Sequence, residues 1–299
     1  MAADLTTLSL FSPAKINLFL HITGRRTDSY HDLQSVFRAL DFGDELTFTL
    51  HDGDELVRLV GGEHLTDRLD DNLIYKAVHA LAAAYPNHAK PVHITLTKRI
   101  PTGAGLGGGS SNCATTLIAI NELWQLGLNP QTLIDIAATL GADVPFFIFA
   151  YYHKTDAIAT GIGEQLTPIS LPARQYLLLM PDVHLATAHF FKHPKLVKDT
   201  PLMSELQRRH EQFDGRLTDG FHNCFEAIAK SHSPAIDAAM DYLHTISSTA
   251  DDGFAARMTG TGSAVFLPLS PQIESQAQQL ANNAPCRAIV CQSLYGKKA

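Results

Sequence analysis

The sequence predicts an α+β fold on three observations. Residues 8–22 alternate between apolar and polar side chains, which is the period of a strand. Ser110–Leu126 repeats its apolar residues at helical spacing. Asp52-Gly53 separates two strand-like runs, and such a pair is typical of an antiparallel hairpin. Antiparallel pairing argues against a purely parallel, doubly wound sheet.

Strands and helices alternate through the first half of the chain. After the first strand, the predicted elements are strands at Glu45–Leu50 and Glu55–Val60, a helix that ends at Leu81, a strand at Val92–Lys98, helices at Ser110–Leu126 and Pro130–Leu140, and a short buried strand at Phe146–Tyr152. Asp71-Asn72 stands where the first helix should begin. Gly127 and Gly141 stand where C-terminal caps are expected.

The second half continues the mixed pattern. Its predicted elements are a strand at Tyr176–Met180, helices near Leu202–Gln212 and Ala235–His244, and a strand-turn unit around Arg257–Leu267. A chain of 299 residues allows two domains of about 150 residues each. The sequence changes character at Thr160–Gly163, so we place a soft boundary near residue 165, between domains at 1–165 and 166–299.

Composition is that of a globular protein, with 45% hydrophobic and 18% charged residues. The formal net charge of −7 offers no basic surface for nucleic acid. Four sparse cysteines favour a reducing compartment, and no apolar stretch reaches the length of about 18 residues that a membrane span needs. The 15 histidines are scattered, so we expect no metal site. We therefore predict a cytoplasmic protein without nucleic-acid or membrane partners.

A glycine-rich loop lies between the strand that ends near Lys98 and the helix that begins near Ser110. Glycines allow positive φ, so that successive backbone N–H groups can converge on one anion, and the helix start adds a favourable dipole. The loop is therefore a predicted phosphate-binding site. Its residues are Pro101, Thr102, Gly103, Ala104, Gly105, Leu106, Gly107, Gly108, Gly109, Ser110 and Ser111.

Other interpretations of the loop fit its residues less well. Gly103, Gly105 and Gly108 match a dinucleotide fingerprint, but no clear βαβ frame surrounds them. The Walker pattern is excluded because no lysine precedes Ser110. A glycine turn without a ligand would not explain three consecutive glycines and two serines at a helix start. No nucleophile elbow is present, which disfavours a hydrolase.

Three more polar residues are candidates for chemistry. Lys15 and Asn17 share one face of the first strand, where a solvated face is the alternative. Asp143, in G-A-D-V-P, could equally be a turn or capping residue. Neither pattern is decisive by itself.

Four ordered blocks together resemble the GHMP small-molecule kinases. They are S-P-A-K-I-N-L at Ser12–Leu18, the loop at Pro101–Ser111, G-A-D-V-P at Gly141–Pro145 and M-T-G-T-G-S-A at Met258–Ala264. D-S-Y-H at Asp28–His31 is similar to the branch of this family that acts on a cytidine-diphosphate-linked methylerythritol in the non-mevalonate isoprenoid pathway.

The resemblance implies a two-lobed fold, with an N-terminal lobe like ribosomal protein S5, a ferredoxin-like C-terminal lobe and a central cleft. It also implies an ATP-dependent kinase with Mg²⁺ carried by the nucleotide, a small cytidyl substrate, and a monomer or weak homodimer. Asp143 would be the catalytic base, Lys15 its partner, and the glycine loop the holder of the ATP phosphates. The implied substrate-binding residues are Asn17, Tyr30, His31, Thr187 and Phe191, the last stacking on cytosine.

The chain departs from the family pattern at several positions. Ser29 replaces the usual glycine before Tyr30, Thr160 replaces an acidic residue, and Thr259 and Thr261 stand where serine is commoner. Two alternatives stay open at this point: another GHMP kinase, of the homoserine or mevalonate type, and a catalytically silent nucleotide-binding sensor.

Overall fold

The computed structural model describes residues 6–28, 30–185, 190–203, 220–250 and 253–297. The chain divides into two compact units that do not follow chain order. The first contains Met1–Ala14, Gly43–Thr102 and Gly107–His153, and the second contains Lys15–Phe42, Gly103–Leu106 and Lys154–Ala299. The predicted domain boundary near residue 165 stays a prediction.

Two long strands contribute residues to both units. They are β1 (Thr7–Arg25) and β2 (His31–Leu50), which pair with each other. The predicted strand over residues 8–22 is therefore confirmed and extends further at both ends. Within the described residues, no helix is long and apolar enough to cross a membrane.

The first unit contains β3 (Val57–Val60) and β4 (Val92–Thr97). β4 pairs antiparallel with the end of β2 and parallel with β3, so it lies between them. The predicted hairpin around Asp52-Gly53 is wrong. A tight hairpin turn of the Asp-Gly type needs positive φ at both central residues, and Gly53 is not among the described glycines that have it. Residues 51–56 instead form an irregular connection.

The described residues of the first unit form four α-helices, of which the sequence predicts the first three. They are α1 (Leu73–Ala84), α2 (Gly108–Leu123), α3 (Pro130–Leu140) and α4 (Val144–His153). The side chain of Asn72 accepts a hydrogen bond from the backbone N of Ile74 and so caps α1 as predicted. Gly141 follows the last residue of α3, also as predicted.

Two predictions about helices need correction. Phe146–Tyr152 lies in helix α4 and is not a strand; Val144–Ala150 are all buried, and an apolar run that is buried on every side shows no period that separates helix from strand. The second correction concerns the end of α2. This helix ends at Leu123, and Gln125 already has a φ of 54°, so Gly127 is not its cap.

The second unit contains two sheet regions. β5 (Asp156–Thr160) pairs antiparallel with β2 and with β6 (Gln165–Ile169). The four-stranded antiparallel sheet has the order β10-β7-β9-β8, with β7 at Gln175–Met180, β8 at Arg257–Met258, β9 at Val265–Pro268 and β10 at Arg287–Gln292. The predicted strand at 176–180 and the strand-turn unit at 257–267 are confirmed.

Helices cover the four-stranded sheet. They are α5 (Glu226–His232), α6 (Pro234–Ala250) and α7 (Ala277–Asn282). Ile236, Met240 and Leu243 recur at helical spacing on α6 and are buried in the same core cluster as Leu177 and Leu267 of the sheet. The helix predicted at Ala235–His244 is thus confirmed. The helix predicted near Leu202–Gln212 lies outside the described residues from position 204 onward.

Candidate active site

Lys15 and Asn17 are both buried on β1, in the second unit. Lys15 Nζ donates a 2.6 Å hydrogen bond to Asn17 Oδ1 and lies 5.0 Å from the centroid of the Phe37 ring. Asn17 Nδ2 donates to Ser35 Oγ at 3.0 Å. The two side chains are therefore held by β1 and β2, and the alternative of a solvated strand face does not hold.

Asn17 also holds the last glycine block. Its Oδ1 accepts a 3.0 Å hydrogen bond from the backbone N of Gly260, and its own backbone N donates to Thr259 Oγ1 at 3.0 Å. This hydrogen bond is accepted by the side-chain hydroxyl, which threonine and serine both have, so Thr259 can replace the commoner serine. Through these contacts Asn17 positions Lys15 and the 258–264 turn, and its substrate-binding role stays a prediction.

The middle of the glycine loop joins these two blocks within the second unit. Ala104 O accepts a hydrogen bond from Ala264 N at 3.0 Å, and Leu106 O accepts one from Lys15 N at 2.9 Å. Gly105 has a φ of 75°, and a Cβ at this position would lie 2.3 Å from Thr259 O. Three of the four sequence blocks therefore meet through backbone contacts that only a glycine at position 105 permits.

Asn223 supports the candidate site, and the sequence analysis missed it. Its buried side chain donates from Nδ2 to Met258 O at 2.7 Å and to Gly260 O at 2.8 Å, and its Oδ1 accepts from Phe225 N at 2.9 Å. The sequence signal was an asparagine just before a helix, which is typical of a local cap. Nothing in the pattern showed that the same amide also holds a turn more than thirty residues later.

The end of the glycine loop begins helix α2 in the first unit. Gly107 is the N-cap residue, with a φ of 69°, and it has no side chain to accept from the first helical N–H groups. Ser111 is buried and its Oγ accepts a 2.8 Å hydrogen bond from Ser12 Oγ. A Cβ on Gly108 would lie 2.9 Å from Lys98 Nζ, so a cation that the sequence analysis did not single out stands beside this helix start.

These features fit a nucleotide phosphate. Gly103, Gly105 and Gly107 all have positive φ, and they lead into the first turn of a 16-residue helix whose N-cap is a glycine. The backbone N–H groups of such a glycine loop favour a bound anion, and so does a helix N-terminus. The chemistry of the loop agrees with the phosphate-binding role predicted for Pro101–Ser111, which stays a prediction.

The predicted nucleobase residues come together at the start of β2. The rings of His31 and Phe191 are stacked, with centroids 5.3 Å apart and planes 26° apart. Tyr30 is 60% exposed beside them. His31 Nε2 is buried and has no hydrogen-bond partner among the described residues. Burial, and then the charges of Lys198 and Arg25, lower the pKa of His31, so the neutral ring is favoured. Thr187 and Ser29 lie outside the described residues.

Asp143 belongs to the first unit. It lies in the turn between α3 and α4 and is half-buried, and the backbone N of Val144 donates to Gly141 O at 3.2 Å across this turn. Its position just past the end of α3 is as predicted. Its catalytic role stays a prediction.

Comparison with known proteins places the chain in a family. A protein of Psychrobacter arcticus called 4-diphosphocytidyl-2-C-methyl-D-erythritol kinase is 45% identical, and the match covers 98% of this chain and 99% of that protein. The chain belongs to the 4-diphosphocytidyl-2-C-methyl-D-erythritol kinase family. A member of this kinase family from Acinetobacter baylyi is 41% identical, over 95% of this chain and 94% of its own.

Solved structures agree with this membership of the 4-diphosphocytidyl-2-C-methyl-D-erythritol kinase family. A crystal structure of 4-(cytidine 5'-diphospho)-2C-methyl-D-erythritol kinase is similar with a TM-score of 0.73 and 28% identity, covering 95% of this chain and 98% of that one. A mevalonate kinase structure, at 14% identity and a TM-score of 0.68 over 97% of this chain and all of its own, shares the fold. The family model "GHMP kinases N terminal domain" matches residues 72–151. The α+β GHMP kinase fold is thus confirmed.

Proposed function

We propose that this chain transfers the γ-phosphoryl group of ATP to the 2-hydroxyl of 4-diphosphocytidyl-2-C-methyl-D-erythritol, which gives the 2-phosphate and ADP. The observation that carries the proposal is the 45% identity to a kinase of that name over nearly the whole chain. The protein is accordingly an ATP-dependent small-molecule kinase of isoprenoid precursor biosynthesis. The stacked pair of His31 and Phe191 supports a substrate with a nucleobase.

Phosphoryl transfer has a loose transition state, so the protein mainly positions the acceptor hydroxyl and neutralises charge. In the proposed mechanism Asp143 accepts the proton of the 2-hydroxyl. The ammonium group of Lys15 stabilises the negative charge that develops on that oxygen. Lys15 is suited to such a task because Asn17 Oδ1 and the face of the Phe37 ring fix its Nζ on a rigid strand.

The loop at 101–111 holds the phosphates in this proposal, through its backbone N–H groups and the start of α2. ATP supplies the transferred group, and Mg²⁺ arrives with its phosphate oxygens, which are the ligands this cation prefers. The chain's own contribution is a loop of backbone donors, in which the absence of a side chain allows positive φ at Gly103, Gly105 and Gly107.

Recognition of the cytidyl group is assigned to three residues. Phe191 supplies an aromatic ring that stacks with His31 and makes an edge contact with Phe225, whose ring centroid is 5.0 Å away. His31 offers a buried ring nitrogen to a base edge, and Tyr30 is exposed and free to cover the base. A cytoplasmic location, Mg²⁺ on the nucleotide, a monomer or weak homodimer and the absence of a nucleic-acid partner belong to the same proposal.

An ADP-release assay tests the proposal. Coupled to pyruvate kinase and lactate dehydrogenase, ADP formation should depend on the cytidyl substrate and stay at background with no acceptor, with homoserine or with mevalonate. Turnover with homoserine or mevalonate in place of the cytidyl substrate would assign the chain to another GHMP activity. ATP binding without turnover on any acceptor would favour a silent nucleotide sensor.

The variant Phe191→Ala tests substrate recognition separately. A base stack is worth about 1–3 kcal/mol, so KM for the cytidyl substrate should rise about 10- to 100-fold while KM for ATP changes little. Phe191→Tyr keeps the flat ring and is the matched control. An unchanged KM for the cytidyl substrate in Phe191→Ala would remove this residue from the site.

A further inference from the structure

Asp44 is a buried carboxylate whose four hydrogen-bond donors all flank the glycine loop. It lies on β2 and has no exposed surface. Its Oδ1 accepts from the backbone N of Arg99 at 2.7 Å and of Ile100 at 2.8 Å. Its Oδ2 accepts from Asn112 Nδ2 at 2.9 Å and from Lys98 Nζ.

These donors come from the two ends of the loop. Residues 98–100 directly precede Pro101, and Asn112 directly follows Ser111. The carboxylate of Asp44 therefore links the two segments that flank the loop, the end of the preceding strand and the first turns of α2. Asn112 Nδ2 also donates to Ser12 Oγ at 2.9 Å, so the contact continues to β1.

The charge of Asp44 is compensated locally. A buried carboxylate is costly unless charged or backbone donors surround it, and here a lysine, two backbone N–H groups and an amide do so. Lys98 also offsets the negative charge that Asp44 would otherwise present to an anion beside Gly108. The cluster can thus fix the loop without repelling phosphates.

We propose that Asp44 is a positioning residue for the nucleotide. By fixing the spacing of residues 99–100 and 112, it sets the direction in which the first N–H groups of α2 point. This rests on the proposed role of the loop in phosphate binding. Loss of the carboxylate should therefore weaken ATP binding more than it weakens binding of the acceptor, which a general loss of stability would not do.

Asp44→Asn is the direct test. The new amide can still accept from the backbone of residues 99 and 100, but its NH₂ group faces the donors on Asn112 and Lys98, so the bond to α2 is lost. Charge-assisted hydrogen bonds are roughly twice as strong as neutral ones. KM for ATP should rise about 10-fold or more. KM for the cytidyl substrate should stay within about twofold, because sites that share no contacts respond to substitutions independently.

A double variant provides the rescue. Asp44→Asn combined with Asn112→Asp exchanges the two groups and restores a hydrogen bond between positions 44 and 112, but it does not restore the donor to Ser12 Oγ. ATP affinity should therefore recover in part, above that of Asp44→Asn alone. Glu45→Gln is the matched control, because it neutralises the neighbouring carboxylate, which is exposed and paired with Arg99 at 2.9 Å. This control should leave KM for ATP unchanged.

Calorimetric titration with ATP alone separates this inference from the proposed function, since it needs no acceptor. A wild-type protein that binds ATP but does not phosphorylate the cytidyl substrate would refute the function and leave the Asp44 test intact. If Asp44→Asn does not fold, Asn112→Ala removes the hydrogen bond from α2 to Asp44 together with the one to Ser12 Oγ, and it should still weaken ATP binding several-fold. Wild-type ATP affinity in whichever of these variants folds, or no recovery in the double variant, would overturn the inference.

Discussion

At the scale of single residues, buried amides hold Lys15 and the last glycine turn in place. Asn17 receives hydrogen bonds from Lys15 Nζ and Gly260 N, and Asn223 donates to the carbonyl groups of Met258 and Gly260. An amide can donate and accept at once, so a single neutral side chain fixes both the N–H and the C=O groups of a turn. The site is therefore pre-organised without additional buried charge.

Asp143→Asn tests the proposed base at this scale. The amide keeps the size of the carboxylate but cannot accept the proton of the 2-hydroxyl, so kcat should fall by about 100-fold or more, as for loss of a general base. ATP affinity in a calorimetric titration should change little. A variant with near-wild-type kcat would remove Asp143 from the mechanism.

The candidate-site residues that stand in sequence blocks could be predicted, whereas the residues that hold them in place could not. Lys15 and the glycine loop stand in recognisable blocks, and the structure shows them in contact through Leu106 O. Asn223 and Asp44 could not be predicted, because their partners lie at distant positions and an isolated asparagine or aspartate carries no periodic signal. The family resemblance implied substrate-binding roles for His31 and Phe191, but it did not predict that their rings stack on each other.

At the scale of elements, the glycine loop serves both units. Residues 103–106 pack in the second unit against the turn at 258–264, whereas residues 107–111 start α2 in the first. Glycine is required at some positions of the loop and not at others. At Gly105 the φ of 75° and the nearby Thr259 O leave no room for a Cβ, but at Gly109 a Cβ would meet only Leu73 Cδ1 at 3.8 Å.

This contrast gives a paired prediction for stability. Gly105→Ala should lower the free energy of unfolding by about 2 kcal/mol or more. The alanine would have to keep a left-handed backbone conformation, and its Cβ would clash with the backbone O of Thr259. Gly109→Ala, in the first turn of α2, should be neutral or stabilising by up to about 1 kcal/mol. Urea unfolding of both variants measures the difference. Equal effects in the two would contradict this account of the loop.

Clear periods predicted most elements, and capping residues predicted helix ends with the exception of Gly127, since α2 ends at Leu123. Asn72 and Gly141 marked helix ends that the structure confirms. Helix α4 was predicted as a strand because its apolar run is buried all round. The hairpin at Asp52-Gly53 failed because a local turn signal cannot show that β4, more than thirty residues away, takes the place beside β2.

At the scale of the whole molecule, a buried histidine links stability to pH. His21 is buried in the second unit, with its ring centroid 4.3 Å from that of His222 and 4.8 Å from that of Phe19. Burial first, and then the charge of His222, lower the pKa of His21 to about 4. The folded protein therefore binds a proton at this site less readily than the unfolded chain, whose histidine has the ordinary value of 6.5.

The contribution of His21 to stability is fully present above pH 6.5 and is lost progressively as the pH falls toward about 4. His21→Phe keeps an aromatic ring without the titration. The free energy of unfolding should therefore fall less steeply in this variant than in the wild type over that range. Denaturant unfolding at several pH values measures both slopes, and parallel curves would show that His21 does not titrate as described.

The chain matches the kinase family over nearly its full length, so the hydroxyl that it phosphorylates is the property that defines its proposed function. The 2-hydroxyl of 2-C-methyl-D-erythritol sits on a carbon that also carries the methyl group and therefore no hydrogen. Phosphorus NMR of the product formed from ATP and the cytidyl substrate is the most direct test. We expect one new phosphomonoester signal without H–C–O–P coupling, beside an intact diphosphate. A coupled phosphomonoester signal, or release of inorganic phosphate alone, would contradict the account.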